Sequence, residues 1–359
     1  MLSLRRLHRI SICILFTISL ASYGCSGSGD GNGGNGNGPA GGAWTVFVYM
    51  AADNDLGSDA LRDMNEMEEV GSTDLVDVIV QVDLREGLEW ETCRRYRIES
   101  DSNPSTVTSP VLEDLDEQDM TDPDTLEDFL LWGKSNYPAD RYLVVLWGHG
   151  DAWDDERVQV TAIFDDDDPV REKLTPNYQV REAMERAGMR ADILAFDACD
   201  MGILEAAYEF QGRADFMVAS QELVWADGYP YDDILAAVVS NPEISPEELA
   251  GTMVQLYGSY YTSTYPFSRY EQCLSALDLS GATPVANQVE VIAQALRAEI
   301  DCCGPDEVQT VRGASEDFTL FEKRYVDLLD LAMGLEAELG LNTDDLELAI
   351  SSMVVENFH

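Results

Sequence analysis

The chain has 359 residues, 45% hydrophobic and 25% charged, which is the composition of a globular protein with a substantial core. Its 22 basic and 68 acidic residues give a formal net charge of −46. A surface this negative repels phosphate groups, which argues against nucleic acid as a partner and favours cationic ones.

The N-terminal residues have the pattern of an export signal. Three arginines precede the apolar run 10–20, which is too short to span a bilayer and gives way to small residues, so we interpret residues 1–24 as a signal peptide. Gly24-Cys25 resembles a bacterial lipoprotein processing site, at which Cys25 is lipidated, and residues 25–43 then form a glycine-rich linker. We therefore expect an exported protein tethered by lipid to a bacterial membrane, the outer membrane in a double-membraned cell. Ordinary signal cleavage and secretion is the alternative.

From residue 44 to 240, predicted strands alternate with predicted helices. Apolar runs rich in β-forming residues indicate the strands, and apolar residues at helical spacing indicate the helices. In chain order we expect strand 44–50, helix 56–67, strand 75–83, a hairpin arm at 88–98, a helix from Pro123, strand 141–147, helix 176–188, strand 193–196, helix 201–213 and strand 216–219. This alternation predicts an α/β fold with a parallel, doubly wound sheet.

Beyond residue 240 the pattern becomes mainly helical. Helices are expected at 245–260, 283–299, 323–338 and 343–355, and one strand at 274–279. We interpret residues 241–359 as a mainly helical extension packed on a core formed by residues 44–240.

Histidine is rare in this chain, which makes its position informative. His8 lies in the predicted signal peptide and His359 is the last residue, so His149 is the only histidine inside the predicted fold. It directly follows strand 141–147, and a glycine on each side lets the backbone turn sharply there. Ligands of open α/β sheets bind in the crevice outside such strand ends.

Cys199 follows the next predicted strand and precedes a predicted helix. If the two strands are neighbours, His149 and Cys199 share one crevice, and the positive end of the helix would lower the pKa of the thiol. Taken singly, each residue is more often structural, but their joint placement predicts a nucleophile with an acid–base partner. The backbone N–H groups of Gly150 and Cys199 are then natural donors to an oxyanion. The 50-residue separation, histidine first, matches the order in caspases.

Several segments resemble the clostripain family of cysteine peptidases: YMAADNDL, WGHG, FDACDMGILEAAYEF and WADGYPYDDIL, in order over about residues 44–235. The resemblance implies a three-layer, caspase-like α/β/α sandwich with a mainly parallel sheet, and a dyad of His149 and Cys199. It also implies an endopeptidase that cleaves after basic residues, arginine over lysine, through an acyl-enzyme. The expected acidic S1 pocket would use Asp197 of the D-A-C motif and, by its place after the next strand, Asp227.

Calcium is a possible cofactor, since clostripain depends on it and four consecutive aspartates, Asp165 to Asp168, lie between His149 and Cys199. These aspartates lack the spacing of an EF-hand loop, and a solvated acidic turn is the preferred interpretation. No zinc-binding pattern occurs. Two alternatives to a basic-specific peptidase stay open: a caspase-like peptidase of non-basic specificity, and a catalytically silent lipoprotein that binds peptides.

Overall fold

The computed structural model describes residues 41–151, 162–163, 175–266, 272–303, 305–316, 318 and 325–359. The predicted signal peptide, the predicted lipidation residue Cys25 and the four aspartates Asp165 to Asp168 lie outside this part of the chain. Residues 41–359 form one compact unit. No helix among the described residues is both long enough and apolar enough to cross a membrane.

The described residues contain twelve strands, nine of which form one sheet. The strands are β1 Gly42–Ala52, β2 Val76–Leu84, β3 Arg94–Arg97, β4 Val111–Asp114, β5 Ala139–Trp147, β6 Gly150–Asp151, β7 Ala162–Ile163, β8 Thr175–Pro176, β9 Ala191–Asp197, β10 Ala214–Ala219, β11 Leu274–Asp278 and β12 Val354–Phe358. The order across the sheet is β12-β11-β10-β9-β5-β1-β2-β3-β4, while β6, β7 and β8 form a separate small sheet. The five central strands, β10 to β2, are parallel, and the strands at both edges are antiparallel.

Helices cover both faces of the sheet. They are α1 Gly57–Val70, α2 Pro123–Asn136, α3 Asn177–Arg186, α4 Leu204–Phe210, α5 Tyr231–Ser240, α6 Pro246–Thr264, α7 Ala282–Cys303, α8 Asp306–Ala314, α9 Leu328–Leu339 and α10 Asp344–Met353. One apolar core lies between the sheet and α1, α5 and α6, and a second lies between the opposite face and α2, α3, α4 and α7. The predicted α/β fold is therefore confirmed, with three layers.

The central strand β5 illustrates why these residues form a buried sheet. Its residues 143–147 are consecutive apolar side chains, and all five are buried. Such a run suits a parallel strand whose two faces are both covered by helices. Asp122 begins the preceding helix, because its side chain accepts a hydrogen bond from the backbone nitrogen of Asp124 and Pro123 occupies the first helical position.

The C-terminal segment differs from the prediction. The expected helix 343–355 ends at Met353, and the next five residues form β12, which pairs antiparallel with β11. Val354 and Val355 are β-branched and favour an extended backbone, although the preceding helical spacing runs directly into them. Residues beyond 240 thus contribute two strands to the same sheet as the predicted core. The domain boundary at residue 240 falls at the end of α5 and stays a prediction.

Candidate active site

The carboxyl ends of β5 and β9 carry His149 and Cys199. The two strands are parallel neighbours, and their register runs to the pair Trp147 and Asp197. Beyond this pair the backbone nitrogen of Gly148 still donates to the carbonyl oxygen of Asp197, over 3.2 Å. Consequently both strands turn at the same level, and His149 and Cys199 line one cavity at the edge of the sheet.

Gly150 lies against the backbone of Cys199. A Cβ atom at position 150 would overlap the carbonyl oxygen of Cys199 and lie 3.0 Å from its backbone nitrogen. Only a residue without a side chain allows this approach. The two residues predicted as oxyanion donors are therefore adjacent in space.

The imidazole of His149 contacts a carboxylate that the sequence analysis did not single out. Its Nε2 lies 2.8 Å from Oδ1 of Asp55, and this hydrogen bond lowers the pKa of Asp55. The Asp55 side chain is 78% exposed and that of His149 is 36% exposed. The preceding residue, Asn54, is buried and accepts a hydrogen bond from the backbone nitrogen of Leu56, which shapes the turn that presents Asp55.

The pKa of the Cys199 thiol is raised and not lowered as the sequence predicts. Burial raises the pKa of its thiol to about 11, and the negative charges of Asp200 and Asp197 raise it as well. The expected lowering by a helix end is wrong, because α4 begins at Leu204 and not directly after the cysteine. The thiol donates a hydrogen bond to the carbonyl oxygen of Val224, 3.7 Å from Sγ. At neutral pH the free thiol is therefore protonated.

Asp200 shapes the turn that follows the cysteine. Its φ of 60° lies in the left-handed region, which aspartate and asparagine tolerate better than most residues. Its backbone nitrogen donates to the carbonyl oxygen of Glu222 over 3.1 Å. This contact joins the turn after β9 to the loop after β10, which contributes Val224 and Trp225 to the cavity.

Asp197 lines the same cavity and is 4% exposed. Its Oδ2 accepts hydrogen bonds from the backbone nitrogen of Tyr229, over 3.1 Å, and from the hydroxyl of Tyr231, over 2.9 Å. Burial raises its pKa to about 6, although these hydrogen bonds lower it. The carboxylate is consequently mainly ionised at neutral pH.

A second buried carboxylate, Asp63, lies close to Asp197. Both carboxylates lie against Gly228: a Cβ there would lie 2.8 Å from Oδ2 of Asp197 and 3.1 Å from Oδ2 of Asp63. Gly228 also has a φ of 59°, so a glycine is required on both counts. Asp63 is 0% exposed and accepts a hydrogen bond from Nε1 of Trp147 over 2.8 Å. Burial raises the pKa of Asp63, and the neighbouring charge of Asp197 raises it further.

Asp227 is held outside the cavity lining. Its neighbours Ala226 and Gly228 line the cavity, whereas its carboxylate lies 3.3 Å from Nη1 of Arg62. Two tyrosine hydroxyls, those of Tyr260 and Tyr265, also donate to its Oδ2. The structure thus brings His149, Cys199, Gly150 and Asp197 together, and it directs Asp227 towards an arginine of the same chain.

Within the described residues, no group of three or more His, Cys, Asp or Glu side chains is arranged to hold a metal ion. The aspartates considered for calcium, Asp165 to Asp168, lie outside those residues, so the calcium prediction stays open.

Sequence analysis did not identify Asp55, Arg62 or Asp63. The signal for Asp55 was its place in the turn after β1, since β1 is the neighbour of β5 and its carboxyl end reaches the same crevice. The signal for Arg62 and Asp63 was a set of charged residues on one side of α1, Asp59, Arg62, Asp63 and Glu66, at helical spacing. A charged helix face is usually solvated, but here it meets the loop 225–231.

Comparisons with known proteins identify similar sequences. The model of the clostripain family matches residues 48–353, which is most of the chain. Clostripain of Hathewaya histolytica is 25% identical over 367 aligned residues, which cover 86% of this chain and 68% of that protein.

Two solved proteases have similar folds. A secreted cysteine protease from Bacteroides thetaiotaomicron, in complex with an irreversible peptide inhibitor, has a TM-score of 0.68 and 23% identity, covering 88% of this chain and 84% of that one. An inactive zymogen protease from Parabacteroides distasonis has a TM-score of 0.67 and 21% identity, covering 89% and 84%. These similarities confirm the predicted caspase-like α/β/α architecture.

Proposed function

The chain belongs to the clostripain family of cysteine peptidases, and from that premise we propose that Cys199 is its nucleophile and His149 its acid–base partner. One observation carries the proposal: both side chains line a single cavity at the ends of the adjacent parallel strands β5 and β9. His149 is the only histidine of the sequence between His8 and His359. A mechanism that needs an imidazole near this cavity therefore has one candidate.

The proposed reaction is acyl transfer through a thioester. His149 takes the proton of the Cys199 thiol, whose pKa of about 11 makes such a base necessary at neutral pH. The sulfur attacks the scissile carbonyl carbon, and the backbone N–H groups of Gly150 and Cys199 donate to the oxyanion. The C–N bond then breaks while His149 returns the proton to the leaving amine. Water, deprotonated by His149, attacks the thioester and releases the acid and the free thiol.

Asp55 has a positioning role in this proposal. Its carboxylate holds Nε2 of His149 at 2.8 Å, so that Nδ1 is the ring nitrogen left to exchange a proton with the thiol. A carboxylate in this position also stabilises the imidazolium that forms when the cysteine loses its proton. Because Asp55 is largely exposed, its contribution is smaller than that of a buried partner.

A preference for basic P1 side chains follows from Asp197. This carboxylate is two residues from the nucleophile, buried, and ionised above a pH of about 6. A guanidinium can bind such a carboxylate through two parallel charge-assisted hydrogen bonds, whereas an ammonium offers a point charge. We therefore place cleavage after arginine ahead of cleavage after lysine. Protein or peptide chains with these residues at P1 would be the substrates.

The pairing of Asp227 with Arg62 favours a second candidate, a peptidase of non-basic specificity. In that case Asp227, which was expected in the pocket, is neutralised by Arg62, and Asp197 serves to hold Tyr229 and Tyr231. The two candidates share the nucleophile and differ only in the P1 side chain.

Measurement of kcat/KM with the full chain separates the two candidates. The substrates would be one peptide series that differs only at P1, with Arg, Lys, Leu or Asp. The expected order is Arg at least equal to Lys, then Leu, with Asp hardly cleaved. A preference for Leu or Asp would overturn the basic pocket and leave the dyad standing. Cys199→Ala is the control, since turnover that survives this change comes from another nucleophile.

We also propose export of the protein, with Cys25 as the lipid anchor. The support is the sequence pattern of residues 1–43 and the similarity to a protease that is described as secreted. A tether of this kind would keep a peptidase on the outer surface, where its substrates arrive as soluble peptides.

A further inference from the structure

Arg62 on α1 lies among several carboxylates behind the wall of the Cys199 cavity. Its Nη1 is 3.0 Å from Oδ1 of Asp59 and 3.3 Å from Oδ1 of Asp227, and its Nη2 is 3.5 Å from Oδ1 of Asp63. Glu66, one turn further along the helix, is a fourth acidic group near the guanidinium, and burial raises its pKa to about 7. Among these described side chains Arg62 is the one cation, in contact with three carboxylates and near a fourth acidic group.

The guanidinium is also tied to the cavity wall itself. Nη2 donates to the carbonyl oxygen of Ala226, and both Ala226 and Gly228 line the cavity that contains Cys199. Asp227 lies between these two residues, and its carboxylate contacts Arg62. Arg62 and a P1 side chain bound in the cavity would therefore lie on opposite sides of the same short loop.

We propose that Arg62 is a specificity-determining residue that neutralises Asp227 and so limits how strongly the cavity selects a cationic P1 side chain. The inference rests on the proposed function, because it concerns the P1 site of the same peptidase. In this proposal Arg62 competes with the arginine side chain of the substrate for the charge of Asp227. In this arrangement Asp197 supplies the main attraction for a cationic P1 side chain, and the charge of Asp227 is balanced by Arg62.

The electrostatics give the direction of the effect. Removal of the Arg62 charge leaves Asp227 without its arginine partner, and a cation in the adjacent cavity is then attracted by the unbalanced charge of Asp227. For partly exposed groups at separations of several ångströms, the added attraction corresponds to about a tenfold change in affinity. A neutral P1 side chain of the same shape gains nothing from it. Arg62 therefore affects the discrimination between charged and neutral side chains.

A purely structural role for Arg62 predicts a different result. The residue also joins α1 to the loop 225–231, and loss of this contact would disturb the cavity for every substrate alike. Such a disturbance would lower kcat/KM by the same factor whatever the P1 side chain. The ratio of kcat/KM between two isosteric substrates would therefore not change.

The test is the ratio of kcat/KM for an arginine-P1 peptide to that for the same peptide with citrulline, its neutral isostere. In the full chain, Arg62→Gln should raise this ratio about tenfold, mainly through a lower KM for the arginine peptide. Arg62→Lys keeps the charge and should leave the ratio near that of the wild type. An unchanged or lower ratio in Arg62→Gln would overturn the inference.

A second comparison covers the case in which Arg62→Gln does not fold. Asp227→Asn alone removes one of the carboxylates that balance Arg62 and keeps the arginine charge, and Arg62→Gln with Asp227→Asn replaces the ion pair with two neutral amides. The double variant should show the higher ratio of the two, and equal ratios would overturn the inference. In contrast, a wild type without any Cys199-dependent turnover of either peptide would overturn the proposed function itself.

Discussion

The residues around Cys199 favour its protonated form. Burial of the sulfur is the main reason, and Asp200 and Asp197 add negative charge on either side of it. A peptidase with this arrangement depends on His149 to form the thiolate, rather than on a thiol that is already ionised. From the sequence, a helix N-terminus at the cysteine was expected to lower this pKa. The described turn 200–203 separates the cysteine from α4 and removes that effect.

Asp200→Asn should lower the pKa of Cys199, because of the two negative charges that oppose thiolate formation it removes the one with the larger effect. Asparagine also tolerates the left-handed φ of 60° at this position, so the turn is retained. The measurement is the rate of alkylation by iodoacetamide as a function of pH, and its midpoint should move to lower pH. Glu205→Gln is the matched control: it removes one exposed charge on α4 and should leave the midpoint in place. An unchanged or higher midpoint in Asp200→Asn would contradict this electrostatic account.

At the scale of elements, the site depends on two strand ends that meet. The apolar runs of β5 and β9 predicted both strands. Because the two strands follow one another in an α/β fold, they were expected to be neighbours, with a shared crevice for His149 and Cys199. The structure has the two strands as neighbours. The close approach of Gly150 to Cys199 is a consequence of this strand pairing. In the sequence, a glycine beside a histidine indicates only a sharp turn.

Gly150→Ala should reduce kcat by about 10²-fold, because the added Cβ forces the backbones of residues 150 and 199 apart and misplaces the oxyanion donors. The variant should be compared with wild type by steady-state kinetics with an arginine-P1 peptide. Gly313→Ala provides the control, since a Cβ there has no atom within 4 Å and activity should be kept. A wild-type kcat in Gly150→Ala would contradict the prediction, because it would show that catalysis does not require this close approach of the two backbones.

The contacts that the sequence did not predict are those between distant elements. Asp55 meets His149 across 94 positions, and Arg62 meets the loop at Ala226 across 164. Local patterns identify a strand or a turn, but the direction of a long charged side chain depends on which partner the folded chain brings to it. For this reason Asp197, which lies two residues from the nucleophile, was placed correctly in the cavity, whereas Asp227 was expected there and instead contacts Arg62.

On the scale of the whole molecule, one sheet unites the predicted core with the C-terminal segment. Strands β11 and β12 extend the sheet beyond β10, and α6 packs against the same apolar core as α1 and α5. The alternating pattern of residues 44–240 predicted the parallel part of the sheet. The last strand could not be predicted from local pattern, because residues 344–353 form a regular helix directly before it and no turn residue separates the two.

Cys25→Ser should convert a membrane-associated protein into a soluble exported one, because it removes the thiol that would carry the lipid and leaves residues 26–359 unchanged. The measurement is fractionation of cells that express the full chain, followed by detection of the protein in membrane and soluble fractions. Ser26→Ala, next to the cysteine, is a control that keeps the thiol and should stay with the membrane. Membrane association that persists in Cys25→Ser would rule out the lipid anchor.

The most direct test of the account is covalent labelling of the full chain by a peptide chloromethyl ketone with arginine at P1. The thiolate would displace chloride and form a thioether, so mass spectrometry of the digested protein should place one adduct on Cys199. Labelling should be absent in Cys199→Ala, and peptide hydrolysis should fall about 10² to 10⁴-fold in His149→Ala, the usual range for a lost acid–base group. Cys93 and Cys273 are both buried, and neither lines this cavity. An adduct on either of them, or undiminished hydrolysis by Cys199→Ala, would contradict the assignment of the nucleophile.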